Sequence, residues 1–150
     1  MLGNFIVKLY LKYLEYKGFH HGKNFNLEKG ANIDSQFCHL ISCGDNVTLA
    51  KDVYILAHDA SMKKFLGKTK VAKTVVGNNV FIGAYSIVLP GCHIGDNVII
   101  ATNSSVVCDI PSGEVWGGCP AKYIMNIDSF LKKHSMNINS KFSNRFFYID

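Results

Sequence analysis

The 150-residue sequence has no long hydrophobic run. No stretch approaches the roughly 18 uninterrupted apolar residues of a transmembrane helix. The opening segment, MLGNFIVKLYLKYLEYKG, is interrupted by three lysines and one glutamate, so neither a membrane span nor a cleaved signal peptide is expected. Hydrophobic residues make up 48% of the chain and charged residues 18%. This composition is that of an ordinary globular domain and excludes a disordered or fibrous chain.

Cysteine pairs of the CxxC type are also missing. The chain has an odd number of cysteines, which are Cys38, Cys43, Cys92, Cys108 and Cys119. Neither a disulfide framework nor a zinc ribbon is indicated, and we expect a reducing, cytoplasmic location. No histidine is placed by the sequence to activate a thiol, so no cysteine nucleophile is predicted.

Basic residues are absent from residues 74–121, which carry three acidic groups. The net charge of +5 is therefore concentrated elsewhere, mainly in the five lysines of residues 59–73 and in the segment that begins at Lys122. These basic residues do not form a stripe interleaved with aromatic residues, so a nucleic-acid partner is not predicted.

A period of six residues runs through the second half of the chain. β-Branched residues recur at every sixth position, at Val76, Ile82, Val88, Ile94, Ile100 and Val106. A second series consists of small or branched residues, each four positions after a member of the first series. Its members are Val80, Ser86, Cys92, Val98, Ser104 and Ile110. Side chains two apart on a strand share a face, and the intervening Gly, Asn and Asp residues permit tight corners. The pattern fits neither an amphipathic helix nor a hairpin meander, and it predicts stacked six-residue units that form a prism of parallel strands.

The same frame continues upstream. Cys43, Leu49 and Ile55 keep the spacing of six, and Leu27 and Ile33 are again six apart, although the register between these two groups is uncertain. We expect one domain over residues 1–150. Its three parts are an N-terminal helix (1–20), the repeat (24–115), and a closing segment and tail (116–150) with a short helix near 126–134.

The spacing of apolar residues in the N-terminal segment predicts an amphipathic helix over residues 2–16. One face carries the apolar residues Leu2, Phe5, Ile6, Leu9, Tyr13 and Leu14, with lysines opposite. We expect this face to pack on the first coil as a cap, which the open end of a solenoid requires. Association with a membrane is not expected, although a basic amphipathic helix can also lie on anionic lipid.

The period breaks once. Ile55 and Val76 are 21 positions apart, which is not a multiple of six, so the chain must leave the prism and return. The excursion covers residues 59–73 and begins directly after His58. Long loops on rigid scaffolds are frequently functional. The loop lysines, including Lys63 and Lys64, either are solvated or attract an anionic substrate.

The repeat resembles that of the left-handed parallel β-helix acyltransferases, the hexapeptide-repeat family. The resemblance covers roughly residues 24–124 and is strongest in VGNNVFIGAYSIVLPGCHIGDNVIIATNSSVVCDIPSGEVWGGCPAKYI, which ends in the family's GxPAK pattern at Gly118 to Lys122. The resemblance implies an all-β solenoid, a left-handed parallel β-helix. It also implies a homotrimer with active sites between subunits and acetyl-coenzyme A as the acetyl donor.

By this resemblance, His58 in ILAHD is the general base. It would take a proton from the acceptor and return it to the leaving thiolate, with no acyl-enzyme intermediate. Asp59 is a candidate orienting partner for the imidazole. The alternative is that Asp59 only turns the chain into the loop.

The resemblance also assigns residues to the coenzyme. The matching positions are Gly83, Ala84, Ala101, Thr102 and the basic Lys122. Phe81 either lines the acetyl pocket or lies at a subunit contact. Val107 and Cys108 stand where the family often has Thr-Lys, which removes one expected cation.

The resemblance therefore implies a sugar O-acetyltransferase that acts on a cell-surface saccharide or its precursor. Two alternatives remain open at this stage. One is transfer to an amine of an amino sugar or to serine, and the other is a non-catalytic β-helix scaffold. A branch of this fold binds a metal through three histidines, but His39, His58 and His93 provide no closely spaced pair, so no metal site is predicted.

Overall fold

Short strands, most of them two or three residues long, make up the computed structural model, which describes residues 2–139. The helices are α1 (Leu2–Tyr16), α2 (Lys63–Leu66) and α3 (Ile127–Asn139), and Cys38–Leu40 form a 3-10 turn. The strands are β1 (His20–His21), β2 (Asn26–Leu27), β3 (Asn32–Ile33), β4 (Ile41–Cys43), β5 (Thr48–Leu49), β6 (Tyr54–Ile55), β7 (His58–Asp59), β8 (Lys70–Val71), β9 (Thr74–Val76), β10 (Phe81–Ile82), β11 (Ile87–Val88), β12 (His93–Ile94), β13 (Ile99–Ile100), β14 (Ser105–Val106), β15 (Glu114–Gly117) and β16 (Lys122–Asn126).

The strands stack into three faces, and the strands within each face run parallel. Face A contains β1, β4, β9 and β12, face B contains β2, β5, β10, β13 and β15, and face C contains β3, β6, β11 and β14. The chain visits the faces in the order A, B, C and then repeats, so three strands complete one coil of a parallel β-helix. The fold agrees with the one that the hexapeptide resemblance implies. Strand β16 pairs antiparallel with β15 at the end of face B.

The two predicted series of inward residues form the core. Each member of the first series, from Val76 to Val106, is at most 2% exposed, and each member of the second series is at most 3% exposed. The upstream residues of the same frame, Leu49 and Ile55, are fully buried. This prediction is confirmed, and columns of β-branched side chains give each coil the apolar burial that one isolated coil lacks.

Two coils are longer than the others, and both carry their extra residues at one corner. Paired residues of successive coils are 18 positions apart at Phe81 and Ile99, but 22 apart at Asn32 and Tyr54 and 33 apart at Tyr54 and Ile87. The extra residues lie where the chain passes from face C to face A, after β3 and after β6. We call this edge the insertion corner.

The longer insertion is a hairpin. Its strands β7 and β8 pair antiparallel, and α2 lies between them. Met62, Phe65 and Leu66 are exposed near its tip. The insertion corner therefore projects an apolar and lysine-rich hairpin away from the prism.

An asparagine ladder follows the corner between faces A and B. Asn24, Asn46, Asn79 and Asn97 all have left-handed backbone, with φ between 54° and 57°. Each side-chain amide donates to the next carbonyl oxygen along the edge, at 2.9, 2.9 and 3.0 Å. Asparagine tolerates this backbone better than most residues, and its amide can both donate and accept, so one residue type meets both requirements of the corner.

Helix α1 forms where predicted, but its packing face differs from the prediction. Val7, Tyr10 and Leu11 pack against the core and Leu14 is fully buried. Four of the residues expected on the packing face are instead exposed: Phe5, Ile6, Leu9 and Tyr13. The assignment was wrong because apolar residues surround most of this helix, so periodicity alone does not select the buried side.

Helix α3 packs on β15 and β16 at the other end of the prism. The helix is longer than the short one expected near 126–134. The tail, residues 140–150, lies outside the described residues, so its role stays unassigned. Within residues 2–139, no helix has the length and hydropathy needed to cross a membrane.

Candidate active site

His58 and Asp34 meet at the insertion corner. His58 begins β7, and Asp34 directly follows β3. Because β3 pairs in parallel with β6, the two residues lie on adjacent coils. Asp34 Oδ2 accepts a hydrogen bond from His58 Nδ1. The Asp34 side chain is 3% exposed and that of His58 is 29% exposed.

Backbone amides hold the Asp34 carboxylate in place. Oδ2 also accepts from the Ala57 N–H at 3.2 Å, and Oδ1 accepts from the Gln36 N–H at 3.2 Å. Burial by itself raises the pKa of Asp34, but the hydrogen bonds from His58 and these amides outweigh it and hold that pKa below its usual value. Asp34 is therefore ionised at neutral pH and accepts the Nδ1–H of His58.

The other ring nitrogen of His58 is left available. In the part of the chain that the structure describes, no hydrogen bond is made by Nε2. The Phe37 ring lies 5.2 Å from the imidazole, centroid to centroid, and packs against one side of it. With Nδ1 donating to Asp34, Nε2 presents a lone pair at a partly exposed edge and can accept a proton from a bound group.

Asp59 is not the orienting partner of His58, which corrects that expectation. Its Oδ1 accepts from the Ser61 N–H at 2.8 Å, and this bond is the main reason that the pKa of Asp59 is lowered. The carboxylate caps the turn into the hairpin, as the alternative interpretation held. Asp34 was missed because the four-residue insertion after β3 obscures the register. The sequence signal for Asp34 is that it directly follows Ile33, an inward residue that pairs with Ile55 of the next coil.

The loop lysines lie on the hairpin. Lys63 and Lys64 form the first turn of α2 and are exposed, and Lys70 pairs in register with Asp59. The hairpin thus holds positive charge on the same insertion corner as His58.

A separate groove of about 520 Å³ runs along face B. Five residues singled out from the sequence line it, namely Phe81, Gly83, Ala84, Ala101 and Thr102. Lys122 is exposed on β16 and does not line it. Three residues of α3 that the sequence did not indicate complete one wall: Phe130, Lys133 and His134. They were missed because α3 lies outside the repeat.

Small residues keep the groove open. A Cβ at Gly83 would lie 2.5 Å from the Thr102 backbone nitrogen, so only glycine permits this coil to approach the next. The Thr102 hydroxyl donates to the Ala84 carbonyl at 2.7 Å and ties the two coils together. The groove is largely apolar along its length, with Lys133 and His134 at the α3 wall and the acidic Glu28 also among its lining residues.

The groove and His58 lie on different sides of one protomer. The groove follows face B and the corner after it, whereas His58 lies at the corner between faces C and A. Face C separates them, and His58 does not line the groove. One copy of the chain does not bring the two parts together.

Two of the buried cysteines are unsuited to nucleophilic chemistry. Burial raises the pKa of the Cys43 thiol to about 12, and burial is also the main cause of the raised pKa of Cys92. Both thiols are poor nucleophiles at neutral pH. Across residues 2–139, no three His, Cys, Asp or Glu side chains are grouped so as to hold a metal ion.

Comparison with known proteins agrees with this fold. Residues 73–107 match the family model "Bacterial transferase hexapeptide (six repeats)". The galactoside O-acetyltransferase of Escherichia coli K12 is 32% identical over 120 residues, which cover 77% of this chain and 58% of that protein. The resemblance seen in the sequence is confirmed.

Solved structures agree as well. The maltose O-acetyltransferase of Clostridium difficile 630 is 36% identical, with a TM-score of 0.64, and the match covers 73% of this chain and 59% of that one. A galactoside acetyltransferase in complex with coenzyme A is 27% identical, with a TM-score of 0.66, over 89% of this chain and 61% of that one. The chain spans only about three fifths of the length of these three relatives.

Proposed function

The chain carries the bacterial transferase hexapeptide repeat, and on that premise we propose that it is an acetyl-coenzyme A-dependent O-acetyltransferase acting on a sugar hydroxyl. The observation that carries the proposal is the hydrogen bond between His58 and the buried carboxylate of Asp34. A histidine whose Nδ1 is held by a carboxylate and whose Nε2 is free is arranged for general base catalysis.

His58 moves one proton in each direction. Its Nε2 accepts the proton of the acceptor hydroxyl as that oxygen bonds to the acetyl carbonyl carbon. It then returns the proton to the sulfur as the carbon–sulfur bond breaks, which leaves an acetyl ester and the free thiol. Acetyl-coenzyme A supplies the acetyl group as a thioester. The two cysteines with raised pKa values, Cys43 and Cys92, are unsuited to an acyl-enzyme step. The proposed transfer is direct and uses no cysteine.

Asp34 is a positioning residue. It fixes the Nδ1–H tautomer of His58 and stabilises the imidazolium that forms when Nε2 takes the proton. Its burial and its two backbone N–H donors prevent it from turning away.

The groove on face B fits the coenzyme. Its apolar length, lined by Ala84 and Ala101, suits the pantetheine arm, and Lys133 provides positive charge for phosphate groups. Lys122 and Phe81 remain candidates for the phosphate end and the acetyl pocket.

The separation of groove and histidine supports a homotrimer with its active sites between subunits. The acetyl group held in one copy's groove can reach a histidine only if a second copy presents His58 beside it. The hairpin, with Lys63 and Lys64, would then border the acceptor site. A saccharide acceptor is supported by the named activities of the galactoside and maltose relatives. We place the enzyme in the cytoplasm, where acetyl-coenzyme A is available.

The test is release of free thiol from acetyl-coenzyme A in the presence of a panel of sugars, amino sugars and serine. We expect the wild-type chain to acetylate sugar hydroxyl acceptors and the His58→Ala variant to lose nearly all turnover while it stays folded at the assay temperature. His93→Ala, which changes an exposed histidine of face A, is the matched control and should stay active. An active His58→Ala protein would overturn the mechanism. A preference for amine acceptors would move the proposal to N-acetylation, and failure of coenzyme A to bind in calorimetry would favour a scaffold.

A further inference from the structure

Helix α1 is fixed to the prism by one of its sides. The Tyr10 hydroxyl donates to the Ile33 carbonyl at 3.0 Å and accepts from the Ile33 N–H at 3.2 Å. Leu14 is fully buried, and Val7 and Leu11 pack beside it. These contacts use the apolar side chains that a capping helix needs, so the helix requires no further apolar face for its attachment.

A second apolar face of α1 points to solvent. We call it the outer stripe, and its residues are Phe5, Ile6, Leu9, Tyr13 and Tyr16. Their exposed fractions are 69%, 61%, 61%, 48% and 88%. The spacings of three and four residues align these side chains along one side of the helix. The outer stripe is thus a continuous apolar surface that nothing within the protomer covers among the residues described.

Positive charge borders the outer stripe. Lys12 lines the same surface hollow as Leu9 and Tyr13, so it lies beside the stripe and not opposite it as the sequence suggested. Lys8 and Lys17 are also exposed, and the only acidic residue of α1 is Glu15. Glu15 Oε1 lies 2.9 Å from His21 Nε2, so its charge is directed towards the prism. The surface around the stripe is therefore basic, which complements a negatively charged partner.

We propose that α1 lies on the surface of an anionic phospholipid membrane, with the outer stripe inserted at the boundary between headgroups and acyl chains. An exposed stripe of Phe, Ile and Leu supplies the apolar area for such binding. Tyrosine side chains, apolar with a polar end, suit the interface, and the lysines reach the lipid phosphates. A symmetric contact of the stripe with a second copy is less suitable, because it would bring the same lysines towards one another. The proposal is independent of the proposed enzymatic function.

The experiment is co-flotation of the full chain with vesicles. Vesicles of equal parts phosphatidylcholine and phosphatidylglycerol are compared with vesicles of phosphatidylcholine alone, at low and high salt. We expect binding to the anionic vesicles that weakens with salt. The double variant Phe5→Gln and Leu9→Gln should lower the partition coefficient by about tenfold or more. The double variant Lys8→Gln and Lys12→Gln should lower it by about fivefold per lysine, and only on anionic vesicles.

A matched control is Leu131→Gln, which changes a leucine that is 55% exposed on α3 rather than α1. It should bind like the wild-type chain. All variants should keep the wild-type melting temperature, because the residues changed do not pack on the prism. Equal binding by wild type and the outer-stripe variant, or no wild-type binding to anionic vesicles, would overturn the proposal. So would a drop in the sedimentation mass of the lipid-free outer-stripe variant, because that result would make the stripe an interface between copies.

Discussion

His58 Nδ1 donates a hydrogen bond to Oδ2 of Asp34, a residue 24 positions earlier in the chain. The pair forms because both insertions, four residues after β3 and fifteen after β6, occur at the same corner of successive coils. One insertion places a buried carboxylate beside the edge, and the other begins with the histidine.

The first prediction concerns the charge of this carboxylate. Asp34→Asn keeps the size of the side chain but removes the negative charge that stabilises a protonated His58. We expect kcat to fall by about 10²- to 10⁴-fold with little change in KM for acetyl-coenzyme A. Steady-state kinetics measure both values.

The control is Asp59→Asn, whose carboxylate contacts the Ser61 amide rather than His58. It should reduce kcat by less than about threefold. If Asp59→Asn is as damaging as Asp34→Asn, the orienting role returns to Asp59.

Acid stability provides a second prediction from the same residue. The pKa of Asp34 is lowered in the folded protein, so the unfolded chain binds its proton more readily. The contribution of Asp34 to stability is therefore complete above its unfolded pKa of about 3.9, and it is lost as the pH falls through the lower folded pKa. Urea unfolding between about pH 5 and pH 2 should show a shallower loss of stability for Asp34→Asn than for wild type. If the free energy of unfolding of the two proteins falls equally steeply with pH in this range, the Asp34 carboxylate is not coupled to folding.

The repeat and the histidine could be predicted because each depends on local sequence. Ile82 and Ile100 are buried because every inward position of a six-residue unit meets its copy in the next coil. His58 was identifiable because the period breaks directly after it. Asp34 was not, because its contact with His58 depends on how two coils of unequal length are stacked. That stacking becomes visible only when Asn32 is seen to pair with Tyr54.

The face of α1 shows a different limit. Periodicity placed Leu9, Tyr13 and Leu14 on the packing face, but of these three only Leu14 is buried. The prism holds the side of the helix that also contains Tyr10. On that side the Tyr10 hydroxyl also makes two hydrogen bonds with the Ile33 backbone. Hydropathy does not show that a tyrosine hydroxyl can hydrogen-bond to the backbone at the open edge of the first coil.

The asparagine ladder predicts that two substitutions of Asn79 lower the stability of the protein by different amounts. This residue has φ of 55°, donates to Asn97 and accepts from Asn46. Asn79→Ala loses both hydrogen bonds and places a less tolerant residue in the left-handed region, so we expect a loss of about 2–3 kcal/mol in the free energy of unfolding. Asn79→Gly loses the same bonds without that strain and should cost about 1 kcal/mol. Urea denaturation of both variants separates the two causes, and equal losses would contradict a contribution from backbone strain.

The hairpin lysines predict that kcat/KM depends on the salt concentration. If Lys63 and Lys64 attract an anionic substrate, kcat/KM should decrease as ionic strength rises, because mobile ions screen exposed charges. Changing both lysines to glutamine should lower kcat/KM by about two- to tenfold at low salt and flatten its salt dependence. The corresponding change at Lys8 and Lys12 of α1 is the control for total charge. A wild-type kcat/KM that does not respond to salt would leave the hairpin lysines as ordinary solvated residues.

The α3 wall of the face B groove predicts which lysine contacts the coenzyme. Lys133 lines the groove, whereas its neighbour Lys132 on α3 and the sequence-based candidate Lys122 do not. All three carry the same charge, so a general electrostatic effect would be similar for each. Lys133→Ala should weaken coenzyme A binding by about fivefold or more through loss of a charge-assisted contact with phosphate. Calorimetric titration of the three alanine variants with coenzyme A gives the comparison, with Lys132→Ala expected to bind like wild type. A larger loss in Lys122→Ala than in Lys133→Ala would instead place the phosphate end at the start of β16, as the family resemblance implies.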